Sequence, residues 1–239
     1  REAVKMRTAK ELVSLALSQV GTCEDPKGSN KQPYGAYLDE TNWYLYKDGS
    51  KTWVHKVNGY DWCTQFVDWC FVFAFGIDAA REMLYRPTYN NYGAVVKYAY
   101  GYFEKVGAVA YAPKAGDVVY FQRGGSLTHT GIVVETDANY ITVVEGNAGK
   151  NNWYVVKNKY AKSDSYVYGY GRPAYQESKY PDPPFQAVND LKGVAIRSGP
   201  YSDCPIIGYI SFGAVVDIEK LDGSSGDFGK VTGYVYLPG

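Results

Sequence analysis

The sequence predicts an α+β domain followed by a smaller all-β domain. Helical apolar patterns fill the first half of the chain, strand patterns follow from residue 118, and residues 176–186 contain three prolines among polar residues. Helices followed by strands are typical of the α+β class, and a polar, proline-rich stretch is typical of a semi-stiff linker. We therefore place one domain at residues 1–175, the linker at 176–186 and a second domain at 187–239.

The first element is predicted to be a helix of about three turns. Thr8 and Glu11 form a capping box, and apolar residues then recur at helical spacing until Gly21. Residues 22–60 are irregular and aromatic, which predicts a long loop with a hairpin over residues 43–54. A loop of that length is more often functional than accidental, so we expect it to form one wall of a cleft.

A second helix is predicted from Asp61, a good N-cap residue type, to Gly76. Apolar residues at spacings of three and four lie along one face of this helix, with Cys63 at its leading edge. Free N–H groups and the positive end of the dipole at a helix start stabilise a thiolate. Cys63 is therefore a candidate nucleophile, whereas Cys70, in mid-helix, is interpreted as a small buried apolar residue.

The second half of the domain is predicted to be an antiparallel sheet. A helical pattern over residues 89–106, with Gly107 as its C-cap, precedes it. Its strands are predicted at residues 118–122, 131–135, 140–145, 153–157 and 166–170. In the glycine-rich tail, strands predicted at residues 194–197, 206–210, 215–218, 229–231 and 234–237 indicate a small barrel.

Composition limits the class of partner. Lys+Arg and Asp+Glu balance at 25 each, so no overall field favours nucleic acid or an anionic membrane. No stretch is long enough to span a membrane, and the first segment lacks the apolar run of a secretory signal, so either a signal was removed or the protein leaves the cell another way. The 25 tyrosines suit glycan or peptide contact, or equally reflect ordinary strand composition.

A thiolate nucleophile needs a base, and the base needs a third group to fix its tautomer. Of the two histidines, His55 lies in the aromatic loop, whereas His129 lies at the mouth of a predicted strand, which is the more rigid position. The paired strand ends in Glu145 and Asn147, and a hairpin brings either of them beside His129. Taken singly, Glu145 is also interpretable as a solvated strand-end carboxylate and Asn147 as a turn residue.

Together these segments resemble a known family. The chain carries, in order, WCTQFVDWC at residues 62–70, GDVV at 116–119, HTGIV at 129–133 and VEGN at 144–147. These runs resemble the motifs of CHAP domains, the cysteine, histidine-dependent amidohydrolases/peptidases of bacterial and phage cell-wall hydrolases. The resemblance covers residues 8–175 and implies a papain-like fold of the NlpC/P60 kind. It also implies Cys63 as the nucleophile, His129 as the base, and Glu145 with Asn147 as the orienting pair.

The tail resembles a bacterial SH3-type (SH3b) domain through the run VAIRSGP at residues 194–200. In that family the module binds cell-wall peptide or glycan, so the resemblance implies a wall-binding domain; the alternative is a domain that merely packs against the enzyme. The tail departs from the family after Asp222, where Phe228 stands in place of the usual Trp.

Some relatives of the CHAP family bind calcium upstream of the cysteine. The acidic residues in that part of the chain do not form an evenly spaced oxygen-ligand loop; they are Asp39, Glu40, Asp48 and Asp61. The four cysteines also lack metal-ligand spacing and are too sparse for a disulfide scaffold. We therefore predict no metal and no other cofactor. Because Trp62 offers no side-chain amide, the oxyanion hole must use the Cys63 backbone N–H and a second donor that the sequence does not identify.

The resemblance implies hydrolysis of an amide bond in peptidoglycan by a secreted or wall-associated monomer, or by a phage-encoded endolysin released at lysis. An endopeptidase is favoured over an N-acetylmuramoyl-L-alanine amidase. Two alternatives of other classes are a catalytically inactive wall-binding protein and a cysteine hydrolase of proteins or small amides.

Overall fold

A computed structural model describes residues 7–176 continuously and, in the tail, residues 185–188, 194–198, 204–211, 214–218, 220–222, 228–230 and 234–236. The chain divides into two compact units. One consists of residues 9–175, and the other combines residues 1–8 with residues 176–239. No helix among the described residues is long and apolar enough to cross a membrane.

Five α-helices precede most of the sheet in the unit of residues 9–175. They are α1 (Ala9–Ser18), α2 (Pro33–Glu40), α3 (Cys63–Phe75), α4 (Ile77–Leu84) and α5 (Val96–Lys105). A short hairpin of β1 (Leu45–Asp48) and β2 (Lys51–Val54) lies between α2 and α3. The predicted first helix and the predicted hairpin are thereby confirmed.

The main sheet of this unit has six antiparallel strands. They are β3 (Val109–Ala110), β4 (Val118–Arg123), β5 (Ser126–Thr136), β6 (Tyr140–Ala148), β7 (Tyr154–Ala161) and β8 (Val167–Gly171). Their order across the sheet is β3, β8, β4, β5, β6, β7. The predicted antiparallel sheet is confirmed, and β5 and β6 form the expected hairpin with longer strands than the pattern indicated.

Helix α3 is the centre of the unit, since it packs against three other helices and against β5 and β6. Nearly all of its residues are buried, including Asp68. A buried carboxylate needs partners, and Asp68 accepts hydrogen bonds from Trp43 Nε1 and Tyr44 OH, each over 2.8 Å, and from Arg86 Nη2 over 3.0 Å. Through Asp68, α3 is therefore bonded to the segment before it, at Trp43 and Tyr44, and to the segment after it, at Arg86.

Helix α3 begins two residues later than the sequence predicts. Trp62 occupies the N-cap position, and no side chain caps the helix, so the capping role predicted for Asp61 is wrong. Instead, the amide of Gln65 donates to the carbonyls of Val57 and Asp61, each over 2.9 Å. Gln65, in the first turn of α3, thus holds in place the segment that precedes the helix.

Two of the helices, α2 and α4, were not predicted from the sequence. Helix α2 interrupts the predicted loop, with Pro33 in its first turn and the Gln32 side chain accepting from the Gly35 N–H over 2.8 Å. Proline at a helix start is itself a helix signal. Helix α4 begins directly after Gly76, whose φ of 82° ends α3.

The helix predicted over residues 89–106 is shorter in the structure, where α5 spans only Val96–Lys105. The preceding segment is held by tertiary hydrogen bonds: the Asn90 N–H donates to Leu45 O over 2.7 Å, and the Tyr92 N–H donates to the Tyr102 hydroxyl over 3.0 Å. Asn90 also has a φ of 56°, a left-handed conformation that interrupts an α-helix, so docking against the hairpin overrides the local pattern.

The second unit is all-β in its described strands. They are β9 (Phe185–Val188), β10 (Val194–Arg197), β11 (Ile206–Ile210), β12 (Val215–Ile218), β13 (Lys220–Asp222), β14 (Phe228–Lys230) and β15 (Tyr234–Tyr236). Five of them form a sheet in the order β11, β10, β15, β14, β13, and β12 pairs with β9. Within these described strands no closed barrel is formed, so the SH3-like barrel stays a prediction. Residues 177–184 of the predicted linker lie outside the described residues.

Candidate active site

Cys63 is the first residue of α3, and 5% of it is exposed. The first helical hydrogen bond runs from the Phe66 N–H to Trp62 O over 2.9 Å, so the N–H groups before Phe66 have no acceptor within the helix. Such a helix start stabilises negative charge on a nearby sulfur. The helix therefore places Cys63 at the positive end of its dipole, beside N–H groups that have no acceptor within the helix.

A buried carboxylate fixes the residue before Cys63. Glu24 is only 3% exposed and accepts from Trp62 Nε1 over 2.8 Å. Its other oxygen accepts from the backbone N–H groups of Gly28, over 2.8 Å, and Asn30, over 3.0 Å. With all these donors Glu24 is satisfied inside the fold, and its role is to hold the Trp62 indole at the helix start.

His129 lies on β5, and its Nε2 is 2.6 Å from Oε2 of Glu145 on β6. The imidazole also stacks on Phe121, with ring centroids 5.8 Å apart. Because Glu145 engages Nε2, Nδ1 is the ring nitrogen left for the hydrogen bond with Cys63. The structure thus joins Cys63, His129 and Glu145 in one chain of contacts.

Two glycines allow this juxtaposition. A Cβ on Gly131 would lie 2.9 Å from Val144 O and 3.0 Å from the Glu145 Cβ, and a Cβ on Gly146 would lie 2.6 Å from atoms of both Trp62 and Phe66. Real Cβ atoms essentially never have contacts under 3.0 Å, so a side chain at either position would force its neighbours to shift. Glycine at these two positions therefore lets β6 approach both β5 and the start of α3.

Glu145 is 1% exposed and has three hydrogen-bond donors. Besides the contact with His129 at Oε2, its Oε1 accepts from Tyr160 OH over 2.6 Å and from Asn158 Nδ2 over 2.9 Å. Sequence reasoning missed Asn158 and Tyr160. The signal was weak: the two residues lie two apart on β7 and so share a face of the sheet.

The electrostatic state of His129 follows from these contacts. Burial lowers the pKa of His129, but hydrogen bonds with Cys63 and Glu145 and the negative charge of both partners raise that pKa to about 10. The imidazole is therefore held as an imidazolium at neutral pH beside the Cys63 sulfur. Burial and the hydrogen bond to Glu145 raise the pKa of Tyr160 well above its usual value, so its hydroxyl remains a donor.

Asn147 lies in the cleft, but at the helix start rather than beside the imidazole. In one orientation its amide donates to Asp61 Oδ1 over 3.4 Å. Turned over, it donates to Asn152 O over 2.7 Å and accepts from the Trp62 N–H over 3.3 Å, which satisfies both ends of the amide. Neither orientation gives a hydrogen bond from Asn147 to His129, so of the predicted orienting pair only Glu145 contacts the base.

A cleft of about 710 Å³ opens over these residues. Its lining includes all four predicted site residues and, beyond them, polar groups such as Arg123 and Asp164. The expectation that the aromatic loop forms one wall is wrong, because no residue between 22 and 60 lines this cleft.

The other singled-out residues lie elsewhere. His55 is exposed on the hairpin, with its ring 5.3 Å from that of Tyr46. Cys70 is fully buried in the core, as interpreted from its position, and burial raises the pKa of its thiol. Cys23 and Cys204 are half-buried free thiols. Among the described residues, no group of three or more His, Cys, Asp or Glu side chains is arranged to hold a metal ion.

Comparison with known proteins identifies a domain within the larger unit. Residues 55–147 match the CHAP domain family, and this range contains Cys63, His129, Glu145 and Asn147. The chain is also similar to the crystal structure of Ly7917 with the hydrolyzing product of MDP, at 17% identity over 96% of this chain and 92% of that one, with a TM-score of 0.40. A second Ly7917 structure matches at 18% identity over the same shares of the two chains, with a TM-score of 0.38. A search of curated proteins gave no match.

Proposed function

We propose that this chain, which carries a CHAP domain at residues 55–147, is a peptidoglycan hydrolase that cleaves an amide bond by means of the Cys63 thiolate. The observation that carries the proposal is the contact chain from Cys63 through His129 to Glu145 in the lining of one cleft. A sulfur nucleophile, a base and a buried carboxylate that orients the base are the parts that acyl transfer requires.

In the first half of the reaction, the thiolate attacks the carbonyl carbon and the carbonyl oxygen takes up the negative charge. The Cys63 N–H, at the start of α3, is one donor for that oxygen. The His129 imidazolium then gives its proton to the nitrogen of the scissile bond, the C–N bond breaks, and the amine leaves. Cys63 remains as a thioester.

The second half of the reaction uses the same pair in reverse. Once the sulfur carries an acyl group, the hydrogen bond and charge of the thiolate no longer raise the pKa of His129, so the imidazole can accept a proton. His129 then takes a proton from water, the resulting hydroxide equivalent attacks the thioester, and the thiolate is released. Glu145 holds the ring in one orientation throughout, since its carboxylate stays bonded to Nε2.

We further propose that the scissile bond is a peptide bond of the stem or cross-bridge rather than the amide between the lactyl group and L-alanine. The partner is peptidoglycan, the enzyme acts as a monomer, and no metal takes part. Its place of action is the cell wall, reached by secretion or by release at lysis. In this proposal residues 187–239 form a wall-binding SH3b domain, and residues 1–175 are the hydrolase.

Mass spectrometry of purified walls after digestion tests the proposal. The wild type is expected to release muropeptides whose masses and new amino termini identify the bond, and Cys63→Ala is expected to release none. Cys70→Ala is the matched control, because it removes a thiol from the same helix without touching the cleft. Equal release by Cys63→Ala would refute the mechanism, and wall binding without any release would identify a wall-binding protein instead.

A further inference from the structure

Arg123 places a cation in the cleft at the end of β4. Its guanidinium lies over the ring of Tyr166, 5.5 Å from the centroid. Tyr166 in turn stacks on Phe121 at 4.6 Å and 18°, and Phe121 stacks on His129 at 5.8 Å and 26°. Arg123 is therefore held at the outer end of a column of stacked groups whose inner end is the base.

The guanidinium has donors available for a ligand. Arg123 forms no ion pair with any described residue, including Asp164, which lines the same cleft. Asp164 uses one carboxylate oxygen to accept from the Tyr166 N–H over 2.9 Å, which orders the turn beneath the stack. A guanidinium carries five N–H donors in a planar fork, and beyond a hydrogen bond with the Tyr166 side chain that of Arg123 has no other polar partner among the described residues.

The other charged groups of the cleft limit where an anion can bind. Glu145 is buried and bonded to three donors, while Asp61 and Asp164 are carboxylates that repel an anionic ligand. His129 is a cation, but its partners are Cys63 and Glu145. Arg123 is thus the cationic group of the cleft lining that the catalytic contacts do not use.

We infer that Arg123 is a specificity residue that binds a free carboxylate of the substrate peptide, an inference that rests on the proposed function. Arg binds carboxylates in a bidentate, charge-assisted geometry, and stacking on an aromatic ring pre-orients the fork. Peptidoglycan peptides carry such carboxylates or the corresponding carboxamides. Binding through Arg123 makes the carboxylate form the better substrate.

The test uses one batch of purified walls, freed of anionic wall polymers so that phosphate cannot supply the anion. Half of the batch is treated with a carbodiimide and excess ammonium to convert peptide carboxylates to carboxamides. The intact protein and its variants digest both halves, and the ratio of the initial rates is measured. Cys63→Ala sets the background for each half.

For the wild type we expect the rate on carboxylate walls to exceed that on carboxamide walls about tenfold or more, the range of a charge-assisted hydrogen bond. In Arg123→Gln the ratio falls towards one, and Arg123→Lys keeps part of the preference because it retains the charge without the fork. Lys97→Gln removes one positive charge from an exposed position on α5, outside the cleft lining, and is expected to keep the wild-type ratio.

Several outcomes would overturn the inference. The inference fails if the wild-type ratio is near one, or if Arg123→Gln slows both digestions by the same factor. Either result would show that Arg123 does not distinguish the carboxylate from the carboxamide, and would leave the proposed function intact. Failure of the wild type to digest either half above the Cys63→Ala background would overturn the proposed function as well.

Discussion

Glu145 accepts hydrogen bonds on both carboxylate oxygens, and the contact at Oε2 is the 2.6 Å bond with Nε2 of His129. This arrangement does two things for the base. It directs Nδ1 towards Cys63, and it places a negative charge beside the imidazolium.

The charge of Glu145 is expected to set the alkaline limit of activity. Glu145→Gln removes one cause of the raised pKa of His129, so that pKa falls. The imidazolium that protonates the leaving amine is then lost at a lower pH, and the alkaline limb of kcat/KM moves down from about 10. We also expect the maximal rate to fall by at least about tenfold.

The pH profile of wall hydrolysis checks this expectation. Glu135→Gln is the matched control, because Glu135 is an exposed carboxylate on the same strand as His129 and lies outside the cleft lining. The prediction fails if the alkaline limb of Glu145→Gln coincides with that of the wild type.

The hydroxyl of Tyr160 is expected to act on the reaction through Glu145. Tyr160→Phe removes the 2.6 Å donor but keeps the ring that packs 4.8 Å from Phe121. Loss of a hydrogen bond to a charged group costs about 1.5–3 kcal/mol, so kcat should fall about tenfold or more. KM should stay the same, because the hydroxyl positions Glu145 and does not hold substrate.

Steady-state kinetics on soluble wall fragments measures both constants. Tyr111→Phe, at the 97% exposed Tyr111, controls for loss of a hydroxyl elsewhere. A rise in KM with constant kcat would mean that Tyr160 contacts the substrate instead.

Gly146 is expected to tolerate no side chain. A Cβ there would lie 2.6 Å from Trp62 and Phe66, so Gly146→Ala must push β6 away from the start of α3. Overpacking of this kind costs about 1–3 kcal/mol, and the separation of Cys63 from Glu145 should lower activity as well. Gly101→Ala is the control, because Gly101 lies in α5 with no atom within 4 Å of its Cβ position. Alanine there should be neutral or stabilising, since it favours helix.

Urea unfolding followed by tryptophan fluorescence measures this difference. All five tryptophans lie between residues 43 and 153, so the signal reports on the unit of residues 9–175. Equal midpoints for Gly146→Ala and Gly101→Ala would contradict the predicted clash.

The buried ion pair of α3 is expected to be the most sensitive polar contact in the core. In Asp68→Asn the Arg86 guanidinium stays buried without its counter-charge, and breaking such a pair costs about 3–5 kcal/mol. Asp78→Asn, at an exposed position in the first turn of α4, should cost at most about 1 kcal/mol. The same fluorescence experiment compares the two variants, and similar unfolding free energies would show that Arg86 finds other acceptors.

The parts of the fold that the sequence predicts well are those in which local pattern and tertiary packing agree. Helix α1, the β1–β2 hairpin and the β5–β6 hairpin are of this kind. The prediction failed where tertiary contacts override the pattern. The segment before Val96 is held by the hairpin, and at the start of α3 the Gln65 side chain bonds the preceding segment, whereas Asp61 does not cap the helix. Helix α2 was missed although Pro33 gave a local signal.

By itself, the sequence determined that Cys63 lies in the first turn of a buried helix, that His129 lies at the mouth of a strand and that Glu145 lies near the end of the strand paired with it, because helix and strand periodicity are local properties. Only the tertiary structure decided which groups touch. Strand pairing brought Asn158 and Tyr160 to Glu145, and Asn147 to the helix start instead of the imidazole. The physical reason is that contacts across the sheet depend on strand register and on how closely the strands approach. The packing at Gly131 and Gly146 sets that approach, and no single segment of the sequence encodes it.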